Sequence, residues 1–357
     1  GVSDIVKQKG EGAVVECLKV VARDEYEVLV DITDLLEKNE SYFGLGRFEM
    51  DLGIGTYVPE SSFLKEVCPA AKSLTIRFVR TCMSVSPFPD PSVKSEPTRW
   101  EYGVSLCLLD KIPMEGRMID GRVGYFTNKV RNYDNAVYDK GECEFISRWK
   151  LVPHREQLEA YLGGDLVEPI KPIVFYIDKQ IPTWLYPYVK RAVEAWQPAF
   201  ERAGFKNAIL ARPEPTYAED SVFSVDNARY AYISYKTSPL KNAYGPSSVD
   251  PRSGEILCSH IGIFNSISDL VQELYFCQAG AVDSLARRIV LPDTLLGKLI
   301  QYVVCHEVGH ALGLKHNFRG SSVFSTASLR DKEFLRNNGH GASIMDYMRF
   351  NYAVQPE

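Results

Sequence analysis

The chain has 357 residues, 45% of them hydrophobic and 24% charged, and 41 Lys and Arg against 46 Asp and Glu leave a net charge of −5. This is ordinary globular composition, and the length suits about two domains at roughly 150 residues each, so disorder, collagen and disulfide mini-scaffolds are excluded. The acidic balance lacks the basic face of a nucleic-acid binder, and no apolar run reaches the ~18 residues of a membrane span.

The polar start Gly1-Val2-Ser3-Asp4 is not a signal peptide, and Gly1 reads as the scar of a removed tag, so any targeting segment is expected outside this chain. The first part reads mostly as strands. SLTIRF (73–78) and EYGVSL (101–106) alternate apolar and polar residues, as half-buried strands do. SPFPDPSVKSEP (86–97) is a proline-rich loop, and Asp120-Gly121 signals a two-residue hairpin. These elements predict an antiparallel β-rich domain over 1–165. The character changes near Val167-Glu168-Pro169. PIVFYID (172–178) is a short apolar strand, followed by a helix over 183–203 that Pro198 should kink or interrupt and Gly204 should end. NAILA (207–211), ARYAYISY (228–235) and EILCSHIGIF (255–264) read as strands, with a helix over 268–288 after them. The last strong helix lies within 291–314, with Asp293 or Thr294 as its N-cap. The second domain, 166–357, is therefore α/β or α+β. None of the eight cysteines forms a C-x-x-C pair, which argues against a thiolate zinc site and for free thiols in apolar surroundings.

That last helix carries His306-Glu307-Val308-Gly309-His310, followed by Gly313 and His316. Residues four apart share a helix face, so His306 and His310 can reach one zinc ion, and Glu307 flanks it as a general base should. The stripe Leu296, Leu299 and Val303 points inward and the two histidines continue it. His316 would lie on the wrong face of a straight helix. Gly313, free to take a positive φ, lets the chain turn there and bring His316 back. Three neutral imidazoles leave one zinc position for water, whose pKa falls from 15.7 to about 7 on such an ion. The alternative for these residues is two core histidines with Glu307 in a salt bridge, or a purely structural zinc site.

Downstream stands Ser343-Ile344-Met345-Asp346-Tyr347. The pattern H-E-x-x-H-x-x-G-x-x-H with a following Met-turn resembles the metzincin zinc metalloproteases. The S-I-M-x-Y form is similar to that of astacins and serralysins, and the segments from PIVFYID to SIMDYMRFNY look like the catalytic region of large multidomain bacterial metzincins. The resemblance implies an α+β metzincin-like domain, with a mixed sheet and an active-site helix, behind an antiparallel β-rich accessory domain. It implies a Zn2+ cofactor on His306, His310 and His316, Met345 beneath the metal, and Tyr347 as a further ligand or oxyanion stabiliser. The expected activity is that of an endopeptidase that cleaves peptide bonds by a zinc-bound water, with Glu307 as general base. Its partner is a protein or peptide substrate, its location secreted, periplasmic or cell-surface. EILCSHIGIF takes the place of the upper-rim edge strand that holds substrate by β-augmentation. Metzincins continue past the Met-turn into a C-terminal helix, so the chain is expected to be C-terminally truncated. The alternative function is an inert zinc-containing binding protein for protein or glycan, which would have no need of Glu307. His260 reads as an ordinary strand histidine and His340 as a mobile surface one. His154 has no evident partner, Cys305 points away from the site, and Cys68-Pro69 has no support as a propeptide thiolate.

Overall fold

The computed structural model describes residues 17–38, 43–44, 49, 53–86, 94–131, 142–237 and 243–355. The expected tag scar at Gly1, and residues 87–93 of the proline-rich loop, lie outside them. The chain divides into two compact units, Gly1–Leu108 with Tyr133–Gly141, and Leu109–Asn132 with Glu142–Glu357.

In the first unit β1 (Lys19–Arg23) and β2 (Val28–Asp31) form an antiparallel ribbon, followed by α1 (Thr33–Lys38). β3 (Ile54–Ala70), β4 (Ser73–Ser84) and β5 (Pro97–Cys107) form an antiparallel meander with β4 in the middle. Ile76 and Phe78 of β4 are buried against Leu36 and Phe43. The alternation in the sequence thus marks strands whose one face builds a small core.

The second unit opens with residues that the sequence pattern assigned to the first domain. β6 (Thr127–Arg131) and β7 (Glu142–Ile146) pair antiparallel. The hairpin expected at Asp120-Gly121 does not form. The Val123 N–H donates to the Asp120 carbonyl at 3.1 Å, so the turn is there, but its flanks pair elsewhere: Met118 bridges Phe145 and Tyr125 bridges Leu314. Tertiary partners win over the local signal.

There follow α2 (Leu158–Leu162), β8 (Ile173–Ile177), α3 (Tyr186–Glu194), α4 (Gln197–Arg202), β9 (Ile209–Pro213) and β10 (Ala231–Lys236). Next come β11 (Ala243–Tyr244), β12 (Ser247–Val249), β13 (Ile256–Phe264), α5 (Ile267–Ala279), α6 (Asp293–Ala311) and α7 (Lys332–Asn338). The helix expected over 183–203 is two helices. Pro198 sits in the first turn of α4, where its missing N–H leaves no bond unmade. The N-cap position of α6 is held by Pro292 rather than by Asp293 or Thr294; Asp293 lies in the first turn, where the helix dipole favours a carboxylate.

The sheet runs β11-β13-β10-β8-β9, with β12 also on β13. β9, β8, β10 and β13 are parallel, whereas β11 and β12 run antiparallel to β13. This corrects the edge-strand assignment. β13 has neighbours on both sides, and the antiparallel edge is β11–β12. Ile261 and Ile263 on one face of β13 and Phe264 on the other are buried, as in a central strand covered on both faces.

The core of this unit joins Phe175 and Ile177 of β8 and Val189, Ala192 and Val193 of α3 to Ile300, Val304, Val308 and Ala311 of α6. Indole N–H groups tie α6 down further: Trp149 donates to the Ala311 carbonyl at 2.9 Å and Trp196 to the Cys305 carbonyl at 3.0 Å. The helix that bears the histidine pair is therefore one of the most firmly packed elements. Among the described residues no helix is long and apolar enough to cross a membrane.

Candidate metal centre

His306 and His310 lie one turn apart on α6, and their rings meet edge to face at 4.8 Å. The helix ends at Ala311, and Gly313 takes φ +99°. A Cβ there would stand 2.1 Å from the Ser147 carbonyl oxygen, so only glycine fits. The turn it makes is pinned by neighbouring backbone: Phe126 N–H donates to the Gly313 carbonyl at 2.7 Å and Lys315 N–H to the Gly124 carbonyl at 2.8 Å. His316 is thereby returned to the pair, as its spacing predicts, and its Nε2 lies 3.1 Å from that of His310. The ligand atoms of His306, His310 and His316 all lie within 4.8 Å of one another.

The donor chemistry suits a divalent ion. Nδ1 of His306 donates to the Ile344 carbonyl at 2.7 Å, and Nδ1 of His310 to the Leu314 carbonyl at 2.8 Å. Each bond fixes the ring and leaves Nε2 with a free lone pair, the usual outer support of a ligating histidine. His306 Nε2 is buried without any hydrogen-bond partner. A buried polar atom left unmatched is costly unless a ligand takes it. The 3.1 Å gap between the other two Nε2 atoms is close to the about 3.3 Å separating two tetrahedral ligands with Zn–N bonds of about 2.0–2.1 Å. Burial pushes His306 down to about 4 and lowers His310 and His316 as well, so all three favour the neutral, ligating form.

Glu307 is 8% exposed, and burial pushes its carboxyl up to about 7, against the opposing charge of Arg349. Met345 is buried beneath the helix. Its Sδ would stand 2.2 Å from a Cβ on Gly309, so a glycine inside the motif admits it. Tyr347 is half exposed, with its ring 4.4 Å from that of His316 and 5.4 Å from that of His306. Burial and the nearby Glu307 raise its phenol pKa, partly offset by Arg349.

Several contributors carry no local signal. Asp346 is buried and accepts from both N and Oγ of Ser321, each at 2.6 Å, while Asn317 N–H donates to the Met345 carbonyl at 2.8 Å. These bonds lash the 343–347 segment to the chain just past His316. His340, expected as a mobile surface residue, is half-buried, and its Nε2 bonds the Arg349 carbonyl at 3.1 Å. His260 sits on β13 with its ring edge-on to Tyr232, away from the triad. Cys143, Cys277 and Cys305 are free thiols, and Cys305 is no part of the triad.

Two protein-family models match the chain. Residues 288–357 match one described as Met-zincin, and residues 1–154 match a domain of unknown function (DUF5117). The histidine triad fits a metzincin zinc site, and triad and family match together point to zinc. No curated protein and no solved structure matches the chain. A zinc metalloprotease, in general terms, is what these findings support.

Proposed function

We propose that the protein is a zinc-dependent endopeptidase with His306, His310 and His316 as metal ligands, Glu307 as general base and Tyr347 as oxyanion stabiliser. The observation that carries this reading is three ring nitrogens gathered within 4.8 Å beside a buried carboxylate that none of them needs as a ligand. Zinc held there supplies Lewis acidity, which acidifies water and polarises a carbonyl. Glu307, with its pKa near 7, is suited to accept a proton from the attacking water and to return it to the leaving amine. The Tyr347 O–H, at the open side of the triad, donates to the oxygen on which charge develops. Met345 and Gly309 together fix the floor, and the Ile344 carbonyl holds His306 in one tautomer. The β11–β12 edge is the strand on which an extended substrate would add, through backbone bonds and with little sequence preference of its own. Gly245 between them would bring a Cβ within 3.0 Å of the Glu307 carbonyl oxygen, so this edge lies directly against the motif helix.

On the same reading the β-rich N-terminal part is an accessory domain and the protein works outside the cytoplasm. The test is cleavage of internally quenched peptides by protein purified without chelators, with metal analysis beside it. One zinc per chain, activity lost to chelator and restored by zinc is the expected result. Zinc without cleavage of any peptide would point instead to an inert binding protein, and failure to take up zinc would remove the site.

A further inference from the structure

Arg349 has no role in the chemistry above, yet the fold goes out of its way to hold it at the site. Among the described residues it is one of two non-glycines with positive φ, at +56°, a backbone state that costs energy in a side-chain-bearing residue. The bend is fastened on both sides: His340 Nε2 bonds the Arg349 carbonyl, and Phe350 N–H donates to Gln278 Oε1 at 3.0 Å. The guanidinium lies over the Tyr347 ring, 4.4 Å from its centroid, and that ring touches His316. The cation is thus one ring removed from the triad. It is half-buried, and among the described residues no carboxylate stands within ion-pair distance of it, although Glu307 feels its charge. Asp346, the nearest acid in sequence, is occupied by Ser321. A guanidinium is a planar fork matched to a carboxylate, and a partly desolvated one without a partner is a group awaiting an anion.

We propose that Arg349 binds a carboxylate of the substrate, so that the site prefers peptides with an acidic side chain or a free C-terminus close to the scissile bond. The inference rests on the proteolytic reading. It is tested with quenched peptides of one scaffold carrying Glu, Gln or Lys at each position flanking the cleaved bond, every peptide made with a free and with an amidated C-terminus. The kcat/KM ratio between peptides is read within each protein, for wild type, Arg349→Lys, Arg349→Gln and Arg349→Glu, so damage to folding cancels. Wild type should favour one anionic form over its neutral counterpart by about tenfold to a hundredfold. Arg349→Gln should level that ratio, Arg349→Lys should keep part of it, and Arg349→Glu should favour Lys. The Glu–Gln and acid–amide pairs show which carboxylate is read. Equal rates in wild type, or a preference that survives Arg349→Gln, would overturn the proposal. Calorimetric titration of metal-free wild type and Arg349→Gln with the same acidic and neutral peptides separates the two readings. Acid-selective binding that depends on Arg349, without cleavage by the zinc-loaded protein, would refute proteolysis and leave the recognition role standing; equal binding and no cleavage would end both.

Discussion

Glu307 and Gly309 stand two residues apart on α6, one answering to chemistry and the other to space. On the proposed reading, replacing Glu307 by Gln keeps the volume and removes the proton acceptor. Turnover should fall by about 10²–10⁴-fold while fold and zinc content stay, checked by progress curves and metal analysis on one preparation. Gly309→Ala leaves every functional group in place but drives a methyl toward Met345 Sδ and the Trp196 ring. It should cost about 1–3 kcal/mol, measured by urea unfolding, and weaken zinc binding, because the displaced Met345 adjoins the carbonyl that holds His306. A Gly309→Ala protein as stable and as zinc-replete as wild type would mean that the 343–347 turn yields freely. The grouping of the histidines and the turn at Gly313 were legible in the sequence because four-residue spacing and a chain reversal are local matters. Ser321 and Asp346 were not, since each matters only through a partner that folding brings to it.

Among the elements, the 343–347 turn depends most on one side chain. Asp346 is buried and satisfies two donors of Ser321, so Asp346→Ala leaves a backbone N–H and a hydroxyl unmatched. The loss should be about 1–3 kcal/mol, seen as earlier thermal unfolding and faster proteolysis near this turn; an unchanged melting curve would show that water replaces the carboxylate. The motif helix could be read from sequence because its stripe and motif span many turns. The edge strand could not. β11 and β12 are two and three residues long around Gly245-Pro246, too short for a two-residue period to register, whereas the long apolar run of β13 drew attention to itself. A buried central strand and an edge strand differ in neighbours, and neighbours are not written in a short run of residues.

At the scale of the molecule, titration and chain connectivity both bear on the metal centre. Burial holds His306 and His260 down to about 4 from an ordinary 6.5. Both stay neutral in the metal-free fold but protonate once unfolded, so the unfolded state binds more protons across this window. These histidines should therefore cost stability as pH drops from about 6.5 to about 4, by up to roughly 3 kcal/mol each, offset in part by Glu307, whose buried carboxyl is raised to about 7 and so holds its proton in the fold before the unfolded chain does; zinc affinity should fall over the same range. Urea titrations of chelator-treated protein at several pH values check this; a flat profile would contradict it. Connectivity makes a second demand. Gly124 and Phe126, which pin the turn at Gly313, lie far upstream, inside the 1–154 family match and yet in the second compact unit. A fragment of residues 166–357 should bind zinc more weakly and unfold at lower denaturant than one of residues 109–357, by differential scanning calorimetry with metal titration. Equal behaviour would show that the upstream strands only decorate the site.

The bond between His306 and the Ile344 carbonyl also sets a timetable. The two residues are 38 positions apart, and the histidine is made first. A chain still being synthesised can have exposed its whole H-E-x-x-H helix before the group that orients its first histidine has left the ribosome. The triad is then oriented only after the segments upstream of it have had time to fold. On the proteolytic reading, this order keeps the site from acting on the segments upstream of it before they have folded.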